Sequence, residues 1–132
     1  MEELPARTKE ERLSAYMSAV YIAYADNEIH PSEIEILSKM SIMYGLPEDE
    51  CRTMMRGIIP NVKYIIPEKM ADRIYDFCWL LMLAKADGLV TISEMIPLTE
   101  YAKVRGISPS IIEDISLKLL GGSTPEEISS KY

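Results

Sequence analysis

The feature that most constrains this chain is an internal repeat with an offset of 61 residues. The segment from Ala23 to Glu33, AYADNEIHPSE, aligns without gaps with the segment from Ala84 to Glu94, AKADGLVTISE. The same offset pairs Arg12 with Arg73 and Gly45 with Gly106. Because this period exceeds the roughly 20–50 residues of stacked repeats, we expect an internal duplication whose two halves pack on each other.

Composition indicates a single globular domain spanning residues 1–132. Apolar residues make up 48% and charged residues 27% of the chain, which is typical of a packed protein. The net charge of −7 disfavours nonspecific contact with nucleic acid or an anionic membrane, because both require a positive field. The longest apolar run, Phe77–Ala84, is far shorter than the roughly 20 residues that cross a bilayer, so we expect no membrane insertion.

The two cysteines, Cys51 and Cys78, lie far apart in sequence and form no CxxC motif. A disulfide framework or a zinc site is therefore not expected. The acidic, polar start of the chain does not have the form of a secretory signal. Together these features predict reduced thiols and a cytoplasmic location.

Helical periodicity runs through both halves of the chain, at about 8–60 and 67–122. The predicted helices cover about 11–25, 31–44 and 47–57 in the first half, then 67–86, a fifth ending at 105 and a sixth from 109 to 120. Residues 58–67 are open between a helical turn and an extended connection. Thr124 signals one more helix start, and we expect the short tail after it to fray. No sustained strand-like alternation occurs, so the prediction is an all-α compact bundle of about six to seven helices built from two pseudo-symmetric halves.

Two helix-level expectations follow from local sequence. Residues Phe77–Ala84 are apolar on every side of a helix, so the fourth helix should be central and enclosed. Gly45 should end the second helix, with Leu46 folding back onto the helix end.

The repeated segment places acids at equivalent positions of both halves. Asp26 and Asp87 fall at a helix end, and Glu33 and Glu94 follow seven residues later at the next helix start. Glu28 adds a fifth carboxylate in the first half. Packing the halves face to face would assemble an oxygen cluster of the kind that binds a hard divalent cation such as calcium or magnesium.

Helix capping gives an alternative interpretation of the same acids. If His30 and Thr91 are N-caps, then Glu33 and Glu94 occupy the third helical position, where a glutamate accepts a hydrogen bond from the N-cap backbone. In that register Pro97 lies inside the fifth helix and removes a hydrogen bond. A start at Ser93 would relieve this problem, and the sequence leaves both starts open.

The repeated loop is not an EF-hand. Counting from Asp26 and from Asp87, the twelfth position is Leu37 in one half and Leu98 in the other, where an EF-hand requires a bidentate glutamate. A cation site would therefore have to be built from both loops together.

The repeated Ala-Asp-(Gly/Asn) step, followed by an apolar residue and an acid at the next helix head, resembles the TerB-like family associated with tellurite resistance. The resemblance covers about Leu13 to Leu120. It implies a compact helical domain of two pseudo-symmetric halves, a stress-response role and metal binding by Asp26, Glu28, Glu33, Asp87 and Glu94. The second half has one acid fewer, because Leu89 stands where the first half has Glu28. In the first half, Asn27 replaces the glycine that the second half keeps at Gly88.

These observations lead to three functional hypotheses. The first is a non-enzymatic, cation-responsive stress module. The alternative is a metal-free protein-interaction module whose acidic face holds a basic segment of a protein partner. An enzyme is the weakest hypothesis, because His30 is the only histidine and no nucleophile–base pairing or phosphate loop is recognisable.

Overall fold

The computed structural model describes residues 7–24, 29–57, 64–86 and 92–132, except for the side chains of 92–94. These ranges contain seven α-helices and no strand, which confirms the predicted all-α bundle. The helices are α1 (Lys9–Ala23), α2 (Pro31–Met43), α3 (Glu48–Met55), α4 (Met70–Ala84), α5 (Ile92–Val104), α6 (Pro109–Leu120) and α7 (Pro125–Ser129).

Helix boundaries repeat at the offset found in the sequence. Both ends of α4 lie 61 residues after those of α1, and the same holds for α5 and α2. The first residues of α3 and α6 also differ by 61. These equivalences support the duplication at the level of single elements. The pseudo-symmetric arrangement of the two halves in space stays a prediction.

The core is organised around α1 and α4. Helix α4 contacts α1, α2, α5, α6 and α7, and α1 also contacts α2, α3 and α5. Within Phe77–Ala84 every side chain except Met82 is buried. The expectation of a central, enclosed fourth helix is confirmed, because a helix that is apolar all round needs neighbours on every side.

The ends of α2 and α5 are built in the same way. Gly45 has a φ of 62° and Gly106 a φ of 71°, a left-handed conformation that glycine adopts without steric penalty. The Leu46 N–H donates to the Ser41 carbonyl at 3.0 Å. The equivalent bond joins the Ile107 N–H to the Ala102 carbonyl at 2.9 Å. Each is the six-to-one bond of a Schellman motif, as expected for Gly45 and Leu46.

Two arginines repeat as well, and each ties a helix start to one of these helix ends. Arg12 Nη1 donates to the Tyr44 carbonyl at 2.7 Å, and Arg73 Nη1 donates to the Arg105 carbonyl at 3.3 Å. Both pairs are again separated by 61 residues. Charged donors therefore satisfy carbonyls that a helix end leaves without an intrahelical partner.

The C-terminal tail forms α7, contrary to the expectation that it frays. Thr124 Oγ1 accepts from the Glu127 N–H at 3.2 Å, and Glu127 Oε1 accepts from the Thr124 N–H at 2.9 Å. Ile128 is buried against the core, where α7 packs on α4. The capping box and this buried side chain hold a helix too short to be stable alone.

Helix α5 begins at Ile92, so it adopts the register that places Pro97 inside the helix. Residues 64–67 are not helical, and the rest of the uncertain 58–67 connection lies outside the described residues. Among the described helices, none has the length and apolar character needed to cross a membrane.

Candidate functional site

Glu33 is the one predicted ligand whose side chain falls within the described residues. It is the third residue of α2, is buried, and its Oε1 accepts from the His30 N–H at 2.9 Å. This is the capping contact expected from the sequence, and it stabilises the helix start without an ion. His30 and Glu33 each make a further interaction in addition to this bond.

The other predicted ligands lie outside the described part of the chain. Asp26, Glu28 and Asp87 belong to undescribed segments, and Glu94 is described only as a backbone position in α5. Among the described residues, no group of three or more His, Cys, Asp or Glu side chains could hold a metal ion. The cation site formed by the two loops therefore stays a prediction.

A buried polar cluster that sequence reasoning missed joins Arg7, Asp76 and Tyr44. Arg7 Nη1 and Nη2 donate to the two oxygens of Asp76 at 2.7 and 2.8 Å, and the Tyr44 hydroxyl donates to Asp76 Oδ1 at 2.5 Å. Arg7 Nε donates to Glu11 Oε1 at 2.6 Å. The cluster ties the segment that leads into α1 to the middle of α4 and to the end of α2.

Electrostatics in this cluster follow from its burial. Burial raises the pKa of Asp76, and the hydrogen bonds and positive charge of Arg7, with the Tyr44 hydroxyl, oppose that rise. Burial disfavours the charge on Arg7, but the interactions with Asp76 and Glu11 together outweigh it and raise the pKa of Arg7 above its ordinary value. Both Asp76 oxygens accept from Arg7 or Tyr44, and the remaining Arg7 donor, Nε, is paired with Glu11, so the cluster is a structural tie between helices.

An apolar groove lies between α1, the 64–67 segment and α5, and it is here called the α1/α5 groove. It has a volume of about 610 Å³. It is lined by Ser18, Tyr21, Ile22, Tyr64, Ile66, Ile96, Pro97, Glu100, Tyr101, Val104 and Arg105. Tyr21, Ile96 and Val104 are each more than half exposed there. Large apolar side chains that share one concave surface are typical of a binding site.

Arg105 supplies a positive charge in the wall of the groove. The side chain is buried, its guanidinium carbon lies 3.5 Å from the centroid of the Tyr101 ring, and Nη1 donates to the Tyr101 carbonyl at 3.2 Å. Among the described residues, Arg105 Nε has no hydrogen-bond acceptor. Position 105 is equivalent to Tyr44 of the first half, so the duplicated framework carries different chemistry at this point.

Sequence reasoning did not find this groove. Its lining residues come from three separate segments, and the exposed members resemble ordinary helix-face residues when each helix is read alone. One signal was present: Pro97 and Ile96 add apolar surface to α5 away from its buried side. Only the packing of α5 beside α1 turns that surface into a concave site.

Comparison with known proteins gives no match: no protein-family model, no curated protein and no solved structure is similar to this chain.

Proposed function

We propose that this chain is a non-enzymatic binding module of the TerB-like type, and that its principal site is the α1/α5 groove. The observation that carries this proposal is the exposure of Tyr21, Ile96 and Val104 in one concave apolar surface. Leaving such a surface in water is unfavourable by roughly 25 cal/mol per Å². A ligand that covers it gains this free energy on binding.

The size of the groove favours a small apolar ligand over a protein partner. A volume of about 610 Å³ falls inside the roughly 300–1,000 Å³ of ordinary ligand pockets. Eleven described residues line the groove, whereas a standard protein interface uses roughly 20–30 residues a side. The groove therefore suits an elongated apolar molecule lying between the two helices.

A dye-binding experiment with matched variants tests this function. Nile red, which is neutral and apolar, should bind the wild-type protein with increased fluorescence. Ile96→Lys should weaken binding at least about tenfold, because it places a charge in the apolar groove.

Ile42→Lys is the matched control, since Ile42 is exposed on α2, outside the groove: 76% of it is exposed, against 64% of Ile96. Its affinity for the dye should stay within about twofold of wild type. Thermal melts of both variants establish that the fold is retained. Equal dye binding by Ile96→Lys and wild type would refute the assignment of function to the groove.

A second candidate function is the acidic surface that holds a basic protein segment. Four arginines whose side chains are engaged within the protein support this function. Arg7 pairs with Asp76, Arg12 and Arg73 donate to backbone carbonyls, and Arg105 is buried. Arg7 and Arg105 are buried and Arg12 and Arg73 are partly buried, so the surface is more acidic than it would be with four fully exposed arginines.

A pull-down with a basic protein partner tests this second function. Binding that persists with a chelator but is abolished by Asp26→Lys with Asp87→Lys supports it. Capture that is unchanged by the two charge reversals contradicts it. Cation binding by the same repeated loops is proposed from the sequence alone. The stress-response role, which the TerB-like resemblance implies, and the cytoplasmic location are proposed on the same basis.

A further inference from the structure

Arg105 is one of two arginines that are nine-tenths or more buried among the described residues, and the two have different surroundings. The guanidinium of Arg7 forms a bidentate pair with Asp76 and a further bond with Glu11. No carboxylate of the described residues pairs with Arg105, and its Nε has no acceptor there. A buried cation of this kind is costly unless an anion or equivalent acceptor compensates it.

Contacts among the described residues compensate the Arg105 charge only in part. The Tyr101 ring lies against one face of the guanidinium at 3.5 Å, which gives a cation–π interaction. The Tyr101 carbonyl accepts from Nη1. Arg105 Nε has no acceptor among the described residues, and the Arg105 side chain lines the α1/α5 groove. A guanidinium with free donors is suited to a carboxylate, which it binds through charge-assisted hydrogen bonds.

We infer that the α1/α5 groove binds an aliphatic carboxylate, the class of a medium- or long-chain fatty acid, with its head group at Arg105 and its chain along Ile22, Ile66 and Ile96. This inference rests on the proposed function of the groove and names the chemistry of its ligand. The ligand combines the two properties of the site, an apolar wall and one buried positive charge.

The chemistry of the wall favours an acyl chain over an extended peptide. An extended peptide brings an amide every residue, and each amide needs a hydrogen-bond partner when it is buried. The Ser18 hydroxyl, a polar group of the groove, already donates to the Ser14 carbonyl at 3.1 Å. An acyl chain has no polar group apart from its carboxylate, so the chain itself needs no hydrogen-bond partner along the apolar wall.

Glu100 is the acidic residue among the described residues that line the groove, and it is exposed. Its charge is screened by water and salt, whereas the buried charge of Arg105 is screened less. The head group is therefore drawn toward Arg105 and away from the rim where Glu100 lies.

Calorimetric titration with decanoate and with 1-decanol tests the inference, because the two ligands share a chain and differ in charge. Decanoate should bind wild type about ten- to a hundredfold more tightly than decanol, the range expected for hydrogen bonds to a charged group. In Arg105→Met this preference should disappear while decanol binding remains. Arg56→Met removes an exposed arginine outside the groove and should keep the full preference.

Each outcome has a separate meaning. If decanol and decanoate bind wild type equally, the carboxylate inference is wrong and the groove function stands. If neither ligand binds, both proposals fail. If Arg105→Met loses decanol binding too, Arg105→Lys decides: it keeps the positive charge, so a carboxylate site should retain at least a partial preference for decanoate, and equal binding of the two ligands would overturn the inference.

Discussion

At the scale of single residues, the Arg7–Asp76–Tyr44 cluster shows where sequence reasoning stops. Asp76 directly precedes the apolar run Phe77–Ala84 on an enclosed helix, so a buried carboxylate could have been inferred from the pattern. Its partners could not, because Arg7 and Tyr44 lie 69 and 32 residues away in the chain. Only the packing of α1 and α2 on α4 brings them to the same point.

Replacing the buried carboxylate of Asp76 should destabilise the protein more than the same replacement at a less buried position of α4. We expect Asp76→Asn to lower the free energy of unfolding by roughly 3–5 kcal/mol, because the buried Arg7 loses its bidentate carboxylate and keeps only the partly buried Glu11. Asp72→Asn, on the same helix but only partly buried, should change it by less than about 1 kcal/mol. Urea unfolding measures both. Similar losses in the two variants would contradict the role given to the cluster.

The two thiols provide a prediction about pH. Burial raises the pKa of Cys51 from 9.0 to about 11 and that of Cys78 from 9.0 to about 12. Since the folded state holds these protons more tightly, their contribution to stability is complete below pH 9 and is lost as pH rises toward 11 and 12. Folding should weaken over that alkaline range.

Labelling with a thiol reagent at pH 8 checks the same burial independently. Both cysteines should react slowly in the native protein and rapidly in denaturant, because the thiolate is the nucleophile and both side chains are buried. Rapid modification of native protein at this pH would show that the thiols are more accessible than the structure indicates.

At the scale of elements, local sequence signals were sufficient to locate most of the helices. Pro31, Gly45, Ser108 and Gly106 act within a few residues of themselves, so the boundaries they set could be predicted from sequence. The start of α5 was left open because Pro97 and the capping signal at Thr91 favour different registers. Helix α7 was underestimated because its stability comes from Ile128 packing on α4, which is a tertiary contact.

Glycine substitutions test the helix ends. Gly106→Ala should destabilise by about 1–2 kcal/mol, because φ is 71° and the cost is one of backbone conformation, with nothing within 4 Å of an added Cβ. Gly121→Ala is the matched control, since its φ is −78° and its Cβ would meet backbone oxygens at ordinary distances of 3.5 and 3.6 Å. It should be neutral or slightly stabilising. Equal effects in thermal unfolding would refute the left-handed ending of α5.

The repeated acidic loops give a prediction that is independent of the groove. Calcium should raise the melting temperature slightly, more at higher pH, because deprotonated carboxylates bind the ion. Asp26→Asn with Asp87→Asn should abolish the rise, whereas Asp49→Asn with Glu113→Gln, at exposed positions on α3 and α6, should not. Titration calorimetry without heat at millimolar calcium would eliminate the cation hypothesis.

At the scale of the whole molecule, the two halves share a framework of helix boundaries and helix ends and differ in the side chains placed on it. Equivalent helices, glycine endings and arginine ties recur at the same offset. Tyr44 in one half completes a buried structural cluster, whereas Arg105 in the other half contributes charge to the α1/α5 groove. The sequence repeat predicts the common framework. It does not predict the different contacts that Tyr44 and Arg105 make at equivalent positions.

The most direct test of the groove is a backbone NMR titration of isotopically labelled protein with 1-decanol. We expect the perturbed amide signals to cluster around the α1/α5 groove, at Tyr21, Tyr64, Ile96 and Val104, while signals of α7 stay unchanged. Perturbations centred on another surface would contradict the assignment of binding to the groove. So would the absence of any perturbation up to the solubility limit of decanol.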